Sequence, residues 1–264
     1  NFSVRGVLNG SEINHNTSIY FDGTNDYVKV PTGLNIKNRN FTVEFWLKRD
    51  RLNQEQVIFS QGAQTGRELE IGFNASNQLF VNIAGQTITS TATFTDTDWH
   101  HFAIAYFKES KELFAYYDDQ FVLENETVNN PYEGEGEILL GKSQVGGNLH
   151  FAGNIHDLRV WNKALQLGEV YAAMYQTQSG NEIGLAGYWP MDEAFGNKAL
   201  DKARYRHARI YADWQVLPAG KAMAFDGVDD YVEINTASTV VISPQMDYSI
   251  EFWFKAASGQ TNAV

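Results

Sequence analysis

The sequence predicts an all-β protein, two antiparallel sheets packed face to face as a sandwich with one short helix. Three observations carry that expectation. The 264 residues include 17 Phe, 13 Tyr and 6 Trp, side chains that suit a pleated, half-buried surface. Apolar and polar residues alternate over short runs, the period of a strand with one face in a core. Those runs are separated by Asn, Asp and Gly, the residues of tight turns.

The clearest run is FTVEFWLK at 41–48. It places Phe41, Val43, Phe45 and Leu47 on one face and Thr42, Glu44, Trp46 and Lys48 on the other. Further strands are expected at 56–60, 68–73, 78–83, 86–93, 99–107, 112–117, 120–124, 137–141 and 154–161, with Asp118-Asp119 turning one hairpin. One stretch has helical spacing. Between 163 and 175, Leu167, Val170, Tyr171, Met174 and Tyr175 fall on one helical face, and Asn162 is placed to cap its start.

An internal repeat sets the expected domain organisation. SIYFDGTNDYVKV at 18–30 returns as AMAFDGVDDYVEI at 222–234, and FTVEFWLK returns as YSIEFWFK at 248–255. The offsets, 204 and 207 residues, are domain-sized rather than those of a solenoid turn. A first domain is therefore expected at 1–183, with 184–264 as the opening part of a second, truncated copy.

Composition narrows the function classes. The formal charge is -12, with no basic run longer than Lys48-Arg49, so the counterion-releasing face of a nucleic-acid binder is missing. The longest purely apolar stretch, Phe102 to Phe107, is too short to insert into a membrane. The chain has no cysteine, which favours a bacterial secreted or cell-surface protein over a disulfide-bonded animal module.

Four segments, taken in order, resemble the laminin-G-like family of concanavalin A-like jelly rolls. They are FDGTNDYVKV (21–30), FTVEFWLK (41–48), DWHHFAIAYFKESKELFAYYDDQFV (98–122) and ILLGKSQVGGNLHFAGNIHDLRVWNKAL (138–165). The segment GLAGYWPMDEAFGNKALDKA (184–203) resembles the opening of a following unit. The resemblance implies a jelly-roll sandwich, and a role in carbohydrate binding or adhesion, often with calcium.

Asp22, Asn25 and Asp26 put three oxygen donors into one short turn, the ligand type a hard cation such as calcium takes. The same residues are ordinary turn formers whose side chains bond backbone amides, and both readings stay open. The resemblance adds Asp157, in GNIHDLRVW, as a fourth ligand approaching this turn.

Other motifs lead elsewhere. Gly136 to Ser143 fits a phosphate-loop pattern, yet its interior EILL forms a strand and QVGGN cannot open a helix. His100 and His101 are adjacent on a strand and face opposite ways, so they cannot share a metal; surface or turn positions are expected for the histidines. Glu68 and Glu70 share a face but lack the third carboxylate of a laminarinase-type strand, and Glu44 beside Trp46 reads as a salt-bridged sheet residue. Trp46, Trp99, Trp161, Trp189 and Trp214 are the indoles a sugar could stack on, the first three in core-like strands. The expected function is a non-catalytic, calcium-assisted module that binds a glycan or a cell-surface glycoconjugate within a larger repetitive surface protein, in contact with that protein's other domains. The rivals are a structural spacer without a ligand and an accessory module of a secreted carbohydrate-active enzyme.

Overall fold

The computed structural model describes residues 17–147 and 149–216 in full, with the backbone of Phe2–Arg5 and Tyr231–Ile234. The chain divides into two compact units, one spanning Glu12–Gly220 and the other combining Asn1–Ser11 with Lys221–Val264. In the smaller unit, β1 (Phe2–Arg5) pairs antiparallel with β18 (Tyr231–Ile234). The expected repeat of strand 41–48 at 248–255 lies outside the described residues.

The larger unit is the sandwich. In chain order its strands are β2 (Thr17–Asp22), β3 (Tyr27–Val30), β4 (Phe41–Arg49), β5 (Gln56–Gln61), β6 (Leu69–Phe73), β7 (Gln78–Ile83) and β8 (Gln86–Thr93). They continue as β9 (Trp99–Phe107), β10 (Glu112–Tyr117), β11 (Gln120–Thr127), β12 (Ile138–Leu140) and β13 (Ala152–Trp161). After helix α1 (Leu167–Met174) come β14 (Leu185–Trp189), β15 (Lys198–Ala199), β16 (Ala208–Tyr211) and β17 (Asp213–Val216). One sheet runs β11-β10-β9-β4-β13-β2-β17, with β14 also on β13; the other runs β15-β16-β3-β12-β5-β6-β7-β8. Every pairing is antiparallel.

The alternation in β4 explains how the layers meet. Phe41, Val43, Phe45 and Leu47 enter the core between the sheets, where they join Phe59, Ile71, Phe73 and Phe102. Thr42, Glu44 and Trp46 face outward but are buried as well. A second apolar cluster covers that outer face, built from Ala103, Ala105, Trp161, Leu165, Val170 and Tyr188. Helix α1 is thus a lid on the first sheet, held by Val170 and Met174. Each such side chain contributes about 1.5–3 kcal/mol when fully buried.

Two expectations about this region are corrected. The helix is capped by Gln166, whose amide donates to Glu169 Oε2 at 3.0 Å, and starts later than an Asn162 cap would give. Tyr171 and Tyr175 point to solvent, because a helix lying on a sheet buries only a narrow stripe.

The boundary expected at 183 also moves. β14 pairs with β13, β16 with β3, and β17 with β2, so residues 185–216 complete the sandwich instead of opening a new one. Trp189 and Leu185 are fully buried in it. The physical reason is edge satisfaction: without these strands β2 and β3 would each expose an unpaired ladder.

Candidate functional site

The Asp22–Asp26 turn joins β2 to β3 on opposite sheets, and its side chains close the turn on itself. Asp22 Oδ1 accepts the amides of Thr24 at 2.7 Å and Asn25 at 3.4 Å, while Asp26 Oδ2 accepts the Asp22 amide at 2.9 Å. Gly23 has φ +76°, and a Cβ there would lie 2.8 Å from both Ala152 Cβ and Arg51 Nη1, so no other residue fits. Burial pushes the Asp26 carboxyl above its ordinary value; the Asp22 amide opposes this, and the charges of Asp22 and Asp213 add to it.

Asp157 is not brought to this turn. Strand register pairs Asp22 with Ala152, and Asp157 lies five residues further along β13, about 16 Å at the rise of a strand. It sits instead in a β-bulge. Between the His156–Trp46 and Arg159–Glu44 pairs, β13 has one residue more than β4, and Asp157 takes φ 57°. Its carboxylate is ion-paired to Arg159.

The residues of the turn do not fit a divalent cation. Calcium takes about six to eight oxygens; here Asp22 Oδ1, Asp26 Oδ2 and the Asp22 carbonyl already accept hydrogen bonds. With Asp157 far along β13, the turn is left with one oxygen on each aspartate and Asn25 Oδ1, about half a calcium shell. Among the described residues no group of three or more His, Asp or Glu side chains is arranged to hold a metal.

The other titratable groups singled out by the sequence are structural. Glu44 is fully buried and accepts the Trp161 indole at 2.8 Å, with Arg159 Nη1 at 3.5 Å and His101 Nε2 at 3.4 Å. Burial pushes its carboxyl up, but the His101 ring, the Arg159 guanidinium and the indole more than reverse this, so it stays ionised. Arg159 continues to the carbonyls of Ala173 and Gln176, which ties the end of α1 to the sheet. Glu68 receives the Gly85 amide, and Glu70 receives Ser143 Oγ at 2.5 Å and Asn82. Both carboxylates are buried.

The histidines need a correction. His100 and His101 do face opposite ways, but His101 is buried against Glu44 and His150 is buried too, because the helix and the 141–147 segment cover positions that an isolated strand would expose. His100 bridges Asp118 and Asp96 at 2.8 and 2.6 Å. Trp46, Trp161 and Trp189 are buried, with their indole N–H groups spent on Met174 O, Glu44 and Arg206 O. No sugar ring reaches these three.

An open pocket among the described residues lies elsewhere, with a volume of about 280 Å³. Three segments far apart in sequence build it: the 31–40 loop after β3, the β13 exit with the start of β14, and the loop between β15 and β16. Asn35, Arg39, Asn162, Arg204 and Arg206 give it polar walls. Sequence reasoning missed this site. The only local sign is the Arg204-Tyr205-Arg206-His207 run, a basic knot in an acidic chain.

A family profile described as the concanavalin A-like lectin/glucanases superfamily matches residues 22–171, more than half of the chain. No curated protein matches by sequence. Among solved structures, a putative carbohydrate binding protein from Bacteroides ovatus is similar at 19% identity and a TM-score of 0.64, over 79% of this chain and 61% of that one. The chain thus spans less than two thirds of that protein. A heptameric SAP-like pentraxin from Limulus polyphemus aligns at 18% identity and TM-score 0.46, over 61% of this chain and 82% of that one. The CBM40 of the Ruminococcus gnavus IT-sialidase aligns at 15% and 0.48, over 59% and 95%.

Proposed function

The chain belongs to the concanavalin A-like lectin/glucanases superfamily, and from that premise we propose that it is a non-catalytic carbohydrate-binding module of a secreted or cell-surface protein. The observation that carries the reading is the polar pocket between the β13–β14 junction and the loops beside it. Its walls are loops anchored at their ends by β3, β13, β14 and β16, with Leu185 and Ala186 on β14 as the strand-borne part. Sugars offer hydroxyls, and Asn35, Asn162 and the three arginines offer amide and guanidinium groups to meet them.

Catalysis is left out of the reading for a physical reason. Glycoside hydrolysis needs two carboxyl groups facing one glycosidic bond across about 5–9.5 Å. Glu44 is sealed beneath the helix, Glu68 and Glu70 are held by neighbours, and the pocket walls contain no carboxylate. The calcium assistance that the family resemblance implies is not part of the reading either, since the Asp22–Asp26 turn satisfies itself.

A glycan array followed by calorimetry tests the reading. Saturable binding to at least one saccharide is expected, roughly tenfold weaker in Asn162→Ala with an unchanged melting curve. Silence across neutral and acidic glycans would leave a spacer as the better account, and release of reducing sugar would make the protein an enzyme.

A further inference from the structure

The pocket differs from the rest of the molecule in charge. The chain has 20 Lys and Arg against 32 Asp and Glu, yet three arginines, Arg39, Arg204 and Arg206, are among the residues lining this one cavity and no acidic residue is. Some cations elsewhere in the described residues have acidic partners, as in Lys29–Glu137, Lys163–Glu169 and Lys202–Asp192, while others, Arg49 among them, have none. None of the three pocket arginines has such an ion pair.

Their anchoring is through the backbone. Arg206 donates to the Ala186 carbonyl, its own carbonyl receives the Trp189 indole at 3.1 Å, and its Nε is buried without a partner. Arg204 Nη1 donates to the Ala203 carbonyl at 2.7 Å. Three positive groups around one space repel each other, and a carboxylate or sulfate is the ligand chemistry that relieves this with paired, charge-assisted hydrogen bonds. Between Arg204 and Arg206 stands Tyr205, 83% exposed and held at φ 59°, a left-handed conformation costly for a bulky side chain. Tyr205 is not itself a wall of the pocket, but its ring, edge-on to His207 at 6.4 Å, is an exposed flat face next in sequence to two residues that are, the kind of surface a pyranose packs on.

We propose that this pocket recognises an anionic saccharide, with Arg39, Arg204 and Arg206 holding its carboxylate or sulfate and Tyr205 packing on the sugar ring. The proposal rests on the carbohydrate-binding reading and narrows it to acidic sugars. The volume is close to the lower limit of small-molecule sites, about 300 Å³, so it accepts a terminal residue and not a long polyanion. The surrounding negative charge agrees with this. Charges beyond about 8 Å are screened at physiological salt, which spares a single acidic residue in the pocket but not an extended acidic chain.

Calorimetry on the full chain tests the proposal with four probes: digalacturonate, its methyl ester, a sulfated chondroitin disaccharide, and inorganic sulfate. Binding of digalacturonate or of the sulfated disaccharide is expected, and comparing the two assigns the anion as carboxylate or sulfate. The methyl ester should bind at least tenfold more weakly than digalacturonate. Arg39→Ala and Arg204→Ala, both at exposed positions, should each weaken binding of the acidic sugar about ten- to a hundredfold without changing the melting temperature. Tyr205→Gly should bind more weakly while melting no lower, because glycine relieves the left-handed strain. If neutral and acidic glycans bind alike and the arginine variants change nothing, the anionic proposal fails and the carbohydrate-binding reading stands. If no saccharide of either charge binds, here or on the array, both fail. Inorganic sulfate binding as tightly as the sugars would reduce the pocket to a bare anion site and overturn the saccharide claim.

Discussion

Glu44 has an indole, a guanidinium and an imidazole around it and no contact with solvent. Alternation along 41–48 was enough to mark it as a salt-bridged sheet residue, because the residue types on the outer face of a strand can be read directly. The partners were not legible. Arg159 and His101 lie 115 and 57 positions away, and only the strand register brings them together. The three arginines of the pocket were harder still, since they lie on loops that no periodicity governs. His100 shows how one residue of such a network responds to pH. Burial pulls its imidazole down, but the hydrogen bonds and charges of Asp118 and Asp96 outweigh this and raise it above its ordinary value. Burial pushes Asp96 up, and His100 with nearby amides brings it below its ordinary value. The histidine therefore stabilises fully below its unfolded pKa of about 6.5, and the effect is lost as pH rises through the higher folded value. The aspartate stabilises above about 3.9, and that is lost as pH falls through its lower folded value. The melting-temperature gap between wild type and His100→Gln should be widest near pH 5 and shrink by pH 8.5. Equal gaps at the two pH values would mean that the bridge carries no charge.

Strand β13 is the element on which most of the molecule turns. It pairs with β4 along one edge and with both β2 and β14 along the other, and it reaches the second pair only by the bulge at Asp157. A bulge inserts a residue without changing composition, so the sequence pattern placed a strand at 154–161 but not its bulge, and the approach of Asp157 to the turn, which came from the family resemblance, fails on the strand register. The same limit explains the boundary error. GLAGYWPMDEAF resembles the start of a unit, yet β14 is bonded to the C-terminal half of β13. Truncation after residue 183 should remove an edge from each sheet together with the buried Trp189 and Tyr188. Loss of one large buried aromatic costs about 3–5 kcal/mol, a large share of a typical stability of about 5–15 kcal/mol. Residues 1–183 should therefore be insoluble or melt without a cooperative transition, while 1–220 unfolds cooperatively in urea. A well-folded 1–183 would show that β14 to β17 are ornaments on a sandwich that is already complete.

At the scale of the whole molecule, the fold was legible because a two-sheet sandwich writes itself into the chain as alternation and turns. The calcium expectation did not come from the chain's own pattern alone. It joined three turn residues to a fourth supplied by resemblance, and the sheet register separates them. An ion bound only by the folded state at a hundredfold excess over Kd would add about 2.7 kcal/mol, or a shift of roughly 5–10 °C for a domain of this size. Calcium and chelator should instead give superimposable melting curves, and Asp22→Ala should lower both equally through the lost amide bonds. A calcium-dependent rise abolished by Asp22→Ala would restore the metal.

The closing strands have a consequence for how the protein is made. β2 and β3 are among the first segments of the sandwich to leave the ribosome, and their partners β16 and β17 are among the last. From the synthesis of residue 30 until residue 216 has emerged, each of these two early strands lacks a neighbour that it has in the finished sandwich. At about 5–20 residues per second that interval lasts on the order of ten to forty seconds, followed by slow closure of contacts nearly two hundred positions apart. Over that interval the nascent chain carries exposed strand edges, the state in which one copy can pair with another. A slower ribosome or a denser polysome would turn the same topology from a scaffold into a source of aggregates.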